Sequence, residues 1–131
     1  VGSLGNERQI TNVAGGTAAT DAVNVRQLDA AVAQSSRDIY NQINGLHSEI
    51  GTVRHDANAG TASAMAMASM PQSVIPGKAM LTAGVAYYEG QSAVAVGVSN
   101  FSENGRWIIN FNGSANTRGN AGAGVGIGIN W

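Results

Sequence analysis

Cysteine is absent from all 131 residues, which excludes a disulfide framework, a thiolate metal site and thiol catalysis. Charge is scarce too: 11% of residues are Asp, Glu, Lys or Arg, under half of the roughly 25% usual in a soluble globular domain. Something other than a charged surface must make the chain tolerable to its surroundings. A net charge of −1 removes the electrostatic case for nucleic acid as a partner. Aromatics reach only 5%, and proline occurs twice, as Pro71 and Pro76. No apolar run approaches the roughly 18 residues of a membrane-spanning helix. No basic-then-apolar signal peptide opens the chain at Val1, so the sequence reads as a soluble protein or as a fragment beginning far from its natural N-terminus.

What is present is unevenly distributed. Residues 1–58 carry Arg8, Arg26, Arg37 and Arg54 against Glu7, Asp21, Asp29, Asp38, Glu49 and Asp56. Residues 78–131 carry only Lys78, Arg106 and Arg118 against Glu89 and Glu103, but hold most of the 18 Gly, both Trp and both Phe. The break falls at Ala57–Gly77, where small residues and Met precede the two prolines. Two parts with different periodicities meet there.

The first part reads as a helix after a polar, extended segment. Thr20 and Asp21 are N-cap candidates, because a side-chain oxygen can accept a free first-turn amide. Apolar or small residues recur at Val25, Leu28, Val32, Ser36, Ile39, Ile43, Leu46, Ile50, Val53 and Ala57. The steps are three or four throughout: an eleven-residue unit, then heptads. A stripe this narrow buries too little for a lone helix, so the pattern predicts a coiled coil. Gly45 and Gly51 each weaken it by about 1 kcal/mol. The spacing does not decide between two strands and three, though Ile39, Ile43 and Ile50 at both core positions favour more than two.

From Lys78 the period changes to two. Leu81, Ala83, Val85 and Tyr87 alternate with Met80, Thr82, Gly84 and Ala86. Val94, Val96 and Val98 alternate with Ala93, Ala95, Gly97 and Ser99; Trp107, Ile109 and Phe111 with Ile108, Asn110 and Asn112; Val125, Ile127, Ile129 and Trp131 with Gly124, Gly126, Gly128 and Asn130. Glu89-Gly90 and Asn104-Gly105 are hairpin signals, and Asn112–Asn120 reads as a longer polar loop. Four antiparallel strands follow, each about ten residues, the length of a tilted strand crossing a bilayer.

A soluble sheet with one wet face alternates in the same way. Here the non-apolar face is Gly, Ala, Ser and Asn with hardly a charge, and Tyr87, Phe101, Trp107 and Trp131 are read as a girdle at the ends of the apolar face, as on a lipid-facing wall. Gly is costly in a strand unless something approaches closely, so Gly124, Gly126 and Gly128 predict an object packed inside the sheet. Four strands cannot close a barrel, and open edges are not tolerated in lipid. Three chains would supply 12 strands, enough for a lumen holding three slim helices, and the small-residue run Thr61–Met70 suits that place.

Three stretches carry a family resemblance. Gln9–Leu28, QITNVAGGTAATDAVNVRQL, resembles the neck of YadA-like trimeric autotransporter adhesins, the type Vc secretion family. Leu81–Val98, LTAGVAYYEGQSAVAVGV, and the closing GVGIGINW resemble that family's C-terminal anchor. The resemblance implies a membrane α+β fold: a homotrimeric 12-stranded transmembrane β-barrel, with three lumenal helices continuing into a trimeric coiled-coil stalk. The corresponding segments would be a neck over 1–22, a stalk over 23–60, a lumenal helix and linker over 61–77, and a barrel anchor over 78–131. It further implies export and surface display of an adhesive passenger from the bacterial outer membrane. Gly84 matches the family's lumen-facing glycine, and Trp131 its C-terminal insertion signal for the outer-membrane machinery. Ile10 and Val13 would form the neck core; Val25, Leu28, Val32, Ile39, Ile43, Leu46, Ile50 and Val53 would form the coiled-coil core. The expected partners are two further copies, outer-membrane lipid and the insertion machinery. Only VGSLGNER precedes the match, so a host receptor would be met through a head that these residues do not contain.

Other chemistry finds little support. His47 and His55 stand eight apart, off the seam and not at a metal-ligand spacing. Met65, Met67 and Met70 read as adaptable packing. The run Gly122–Gly126 resembles a phosphate loop only superficially, since neither helix nor Lys follows. Glu89 and Glu103 lack a nearby His or second carboxylate in sequence. No catalytic, cofactor or metal site is expected. Two further readings stay open from the residues alone, a soluble trimeric fibre tip and a passive pore.

Overall fold

The structure is a computed structural model that describes all residues 1–131. One helix, α1 (Val25–Ala68), precedes four strands: β1 (Ala79–Tyr88), β2 (Gln91–Phe101), β3 (Trp107–Asn116) and β4 (Ala121–Ile129). The strands form one antiparallel sheet in the order β1-β2-β3-β4. Two compact units divide the chain, Val1–Ser48 and Glu49–Trp131, with α1 contributing residues to both.

In the first unit the helix starts later than Thr20 or Asp21. Asn24 is the cap: its Oδ1 accepts the Gln27 amide at 3.0 Å, and Gln27 Oε1 reaches back to the Asn24 amide at 3.4 Å. This is a reciprocal capping box with Gln at the third helical position. Asp21 instead closes a preceding turn, accepting the Thr17 and Ala18 amides at 2.8 Å each. The correction has a local cause, since an Asn three residues before a Gln satisfies two free amides at once and an Asp at 21 satisfies amides behind it.

In the second unit the strands alternate as their pattern predicts, and every side-to-side pair is in register. Gly84 stands opposite Ala95, Gly97 opposite Asn112, and Asn110 opposite Gly126. Turn chemistry sets that register. Glu89 and Gly90 both take positive φ, 45° and 82°, as a two-residue hairpin matched to strand twist requires. Ser102–Arg106 is a longer turn, in which Asn104 Oδ1 accepts the Arg106 amide and the Ser102 hydroxyl.

Two expectations change here. The loop expected over Asn112–Asn120 shrinks to Thr117–Asn120, because β3 runs on to Asn116. Asn116 then organises the turn, its Oδ1 accepting the amides of Arg118 and Asn120 at 3.1 Å each. Composition alone suggested a loop, but Gly113 and Ala115 keep the strand period and Ser114 is buried on the inner face. Phe101 also changes face. It pairs with Ile108, two residues past Ser99 on the helix-facing side, so of the four aromatics read as a girdle only Tyr87 and Trp107 stand on the outer face of a strand.

The core of this unit is built from alanine. Ala62 and Ala66 are fully buried against Ala93 and Ala95, Ala59 is fully buried as well, and no large side chain is fully buried. The helix ends at Ala68, just before Pro71 restricts Met70 to extended backbone. The following linker is tied to the sheet by Ser73, whose amide donates to Ser99 Oγ at 2.7 Å and whose hydroxyl donates to the Lys78 carbonyl.

Candidate functional site

The chemistry of this chain lies in one interface, the last turns of α1 against the inner face of β1 and β2. Residues 59, 62, 63 and 66 form the buried stripe, the three-and-four spacing of a single helix face. Opposite them on β1 and β2 are Thr82, Gly84, Ala93, Ala95 and Gly97, all small. A Cβ placed on Gly84 would collide with the Ala66 carbonyl oxygen and come within 2.6 Å of Ser69 Oγ and 3.0 Å of Met70 Cγ. At Gly97 it would stand 3.1 Å from Met70 Cε and 2.9 Å from the Phe111 carbonyl oxygen. The backbone of the helix thus rests almost on the backbone of the strand, which only glycine permits.

Gly124, Gly126 and Gly128 are crowded for another reason. A Cβ there would meet Asn112 Oδ1 at 2.8 Å, Asn110 Oδ1 at 3.0 Å and Ile108 Cγ2 at 2.9 Å. Side chains of the neighbouring strand lean over them, so the object expected inside the sheet covers β1 and β2 within one chain, not β4.

The outer face of the sheet is its inverse. Leu81, Val85, Tyr87, Val94, Val96, Phe111, Val125 and Ile127 are all exposed. Trp107 is 44% exposed, and Trp131 lies wholly exposed beyond the end of β4. This sheet is apolar outside and small or polar inside, the reverse of a soluble domain.

The helix carries a second apolar face. Val25, Leu28, Val32, Ile39, Ile43, Leu46, Ile50 and Val53 are each about half exposed or more, from 45% at Ile43 to 72% at Val25. Ala57, Gly60 and Ala64 continue that spacing, also exposed. Within the second unit, at about 100° per residue, Ile50, Val53, Ala57, Gly60 and Ala64 lie on the side of the helix opposite the sheet-facing stripe.

In the first unit Ile10 is 69% exposed and Val13 half-buried. The polar residues between them and the helix do the tying. Gln27 bonds Gly16 twice, accepting its amide and donating to its carbonyl at 2.9 Å each, and Asn24 Nδ2 donates to the Val13 carbonyl at 3.2 Å. Sequence reasoning passed over Asn24 and Gln27, although Asn-x-x-Gln before an apolar run is a capping signature. Two carboxyls here lie below their ordinary values. Asp21 is lowered by the Ala18 and Thr17 amides, and Glu7 by its own amide and that of Gly5. No three His, Asp or Glu side chains converge as metal ligands would.

Comparison with known proteins agrees with this geometry. Residues 71–131 match the YadA-like membrane anchor domain, and residues 9–51 match the coiled stalk of trimeric autotransporter adhesins. Autotransporter adhesin EhaG of Escherichia coli O157:H7 is 37% identical over 130 residues, 99% of this chain and 8% of that protein. Autotransporter adhesin NhhA of Neisseria meningitidis serogroup B is 39% identical over 94% of the chain and 19% of its own length. Trimeric autotransporter adhesin AtaA of Acinetobacter sp. is 35% identical over 92% of the chain and 3% of its length. The chain therefore spans less than a fifth of each of these relatives.

Proposed function

The chain belongs to the trimeric autotransporter adhesins, of which it carries coiled stalk and membrane anchor, and on that premise we propose that three copies close a 12-stranded barrel in the bacterial outer membrane. That barrel exports and then holds a surface-displayed passenger, whose adhesive head would meet the host receptor. The observation that carries this reading is the inside-out sheet: valines and aromatics outward, glycines and alanines inward against a helix of alanines. An exposed apolar face of that extent needs cover, and lipid is the cover that requires no further residues.

Assembly answers two demands of the single chain. Strands β1 and β4 are open edges, and pairing β1 of one copy with β4 of the next removes every edge. The seam from Val25 to Val53 becomes the core of a three-stranded coiled coil, with Ile10 and Val13 of the neck turned inward above it. Gly84 then faces the lumen, while Trp131 ends in the periplasm as the group read by the insertion machinery. Glu89-Gly90 and Thr117–Asn120 lie outside, and Ser102–Arg106 forms the periplasmic turn.

Mild SDS electrophoresis of outer-membrane extract tests the reading. Unboiled samples should run as a trimer that boiling converts to monomer. A chain recovered from the soluble fraction without detergent, or monomeric in the membrane, would overturn it. A soluble fibre tip would need no detergent, and a passive pore would conduct, whereas a lumen plugged by three helices conducts poorly.

A further inference from the structure

In the second unit the seam positions Ile50, Val53, Ala57 and Gly60 are bordered by two charges, Glu49 and Arg54, both exposed. The alternating steps of three and four put Glu49 directly before one seam position and Arg54 directly after the next. Five residues at about 100° each leave the two side chains about 140° apart around the axis, one on either border of the seam. They do not face each other on their own helix.

Neither charge has an opposite at helical contact spacing in its own chain. Three and four residues from Glu49 stand Gly45, Leu46, Thr52 and Val53; the same steps from Arg54 reach Ile50, Gly51, Ala57 and Asn58. The chain's single ion pair joins Asp56 to Arg118 at 2.7 Å. In parallel helices joined along such a seam, the residue before one core position faces the residue after the next core position of the neighbouring helix, and opposite charges there pair between chains. That step is five residues, the step from Glu49 to Arg54. The following steps along the second unit, Asp56 to Thr61 and Ser63 to Ala68, join no opposite charges. Between Glu49 and Arg54 lies Gly51, which weakens the helix by about 1 kcal/mol, so a bond between copies would fall across a weak turn.

We propose that Glu49 of each copy pairs with Arg54 of the adjoining copy, so that three identical ion pairs clasp the stalk at Gly51. Each copy gives its carboxylate to one neighbour and its guanidinium to the other. The inference rests on the trimeric reading above, in which the seam is a three-stranded core. Apolar packing aligns the helices, and the exposed pairs add a small resistance to their separation.

Dissociation of the trimer tests it on the full chain. Trimer extracted from the outer membrane in non-ionic detergent is heated at one temperature, and its loss is followed by unboiled electrophoresis. At low salt Glu49→Gln and Arg54→Gln should each speed that loss by about two- to fivefold or more, the range of one exposed pair. The double variant should be no faster than either single one, whereas effects that add would mean two independently solvated charges and overturn the pair. Salt near 1 M should shrink the differences. Glu49→Arg and Arg54→Glu should each be faster still, and their combination should restore the parent rate. An anionic lipid headgroup held by Arg54 would instead leave the combination as poor as Arg54→Glu alone, which also overturns the pair. Co-expression of Glu49→Arg chains with differently tagged Arg54→Glu chains separates contacts between copies from contacts within one. Each chain then carries like charges at both positions, so only a neighbour supplies the opposite. Mixed trimers should outlast both homotrimers; mixed trimers that do not would defeat the clasp while leaving the anchor reading intact. Should the charge-reversed chains fail to assemble singly, trimer recovered by the combination or by co-expression supports the pair, and its absence in both defeats it. Absence of trimer in the parent chain would fall on the anchor reading itself, and on this inference with it.

Discussion

At position 84 the helix backbone stands so close to β1 that the Ala66 carbonyl oxygen occupies the space a Cβ would need. The obstacle is main chain and cannot rotate away, so even Gly84→Ala should lower the yield of heat-resistant trimer. Ser, Asn and His should lower it further, at about 1–3 kcal/mol per intruding group. Gly113 is the natural control. It lies on the outer face of β3, where a Cβ meets only the Gly122 carbonyl at an ordinary 3.5 Å, so Gly113→Ala should assemble as the parent does. Equal responses at 84 and 113, read by unboiled electrophoresis, would mean that the two faces are not distinguished. Asp21 offers a titration. Its carboxyl lies below the ordinary 3.8 because the ionised form accepts the Ala18 and Thr17 amides. A lowered native pKa contributes stability that is fully present above 3.8 and is lost as the pH falls through the lower native value. Protection of the Thr17 and Ala18 amides in the trimer should therefore persist at pH 5 and fade below 3.8. In Asp21→Asn that acid transition should vanish; its persistence would assign the transition to another group.

For α1 the decisive contacts are at its first turn. Asn24→Ala removes the cap and the bond to the Val13 carbonyl, a loss of about 1 kcal/mol for a cap alone. Gln27→Ala removes the reciprocal half and both bonds to Gly16. Amide exchange over residues 13–28 should accelerate in both variants and remain unchanged beyond Leu46. Uniformly fast exchange in the parent would mean that the neck is an unstructured leader. The sheet shows how an element's extent escapes composition. Asn112–Asn120 has the residues of a loop, yet β3 continues to Asn116, because the inner face accepts small polar groups as readily as a turn does.

In the proposed assembly, copies of the chain cover the open edges β1 and β4 and the exposed helical seam. Removing Ala121–Trp131 deletes β4 and with it the proposed edge for the next copy's β1. Such a chain should neither trimerise nor insert, and insertion as a trimer would refute that pairing. Removing Trp131 alone takes away a fully exposed group beyond the last strand, so trimer that forms should be as heat-resistant as the parent. On the proposed signal role the amount should fall, because recognition and not packing would be lost. An unchanged amount would deny the signal role.

The alternation from Leu81 to Ile129, the three-and-four seam from Val25 to Val53, and the Glu89-Gly90 turn were legible in the residues themselves, because each is a repeat or a dihedral demand acting over a few positions. They sufficed for strands, helix and the inversion of apolar and small faces. Tertiary structure alone decided that Gly84 lies under the Ala66 carbonyl while Gly124 lies under Asn112, that Phe101 turns inward, and that Asp56 meets Arg118 across 62 residues. Those outcomes depend on how far the helix slides along the sheet and which strand leans on which. Neither is a periodic property, so no spacing within one segment can encode it.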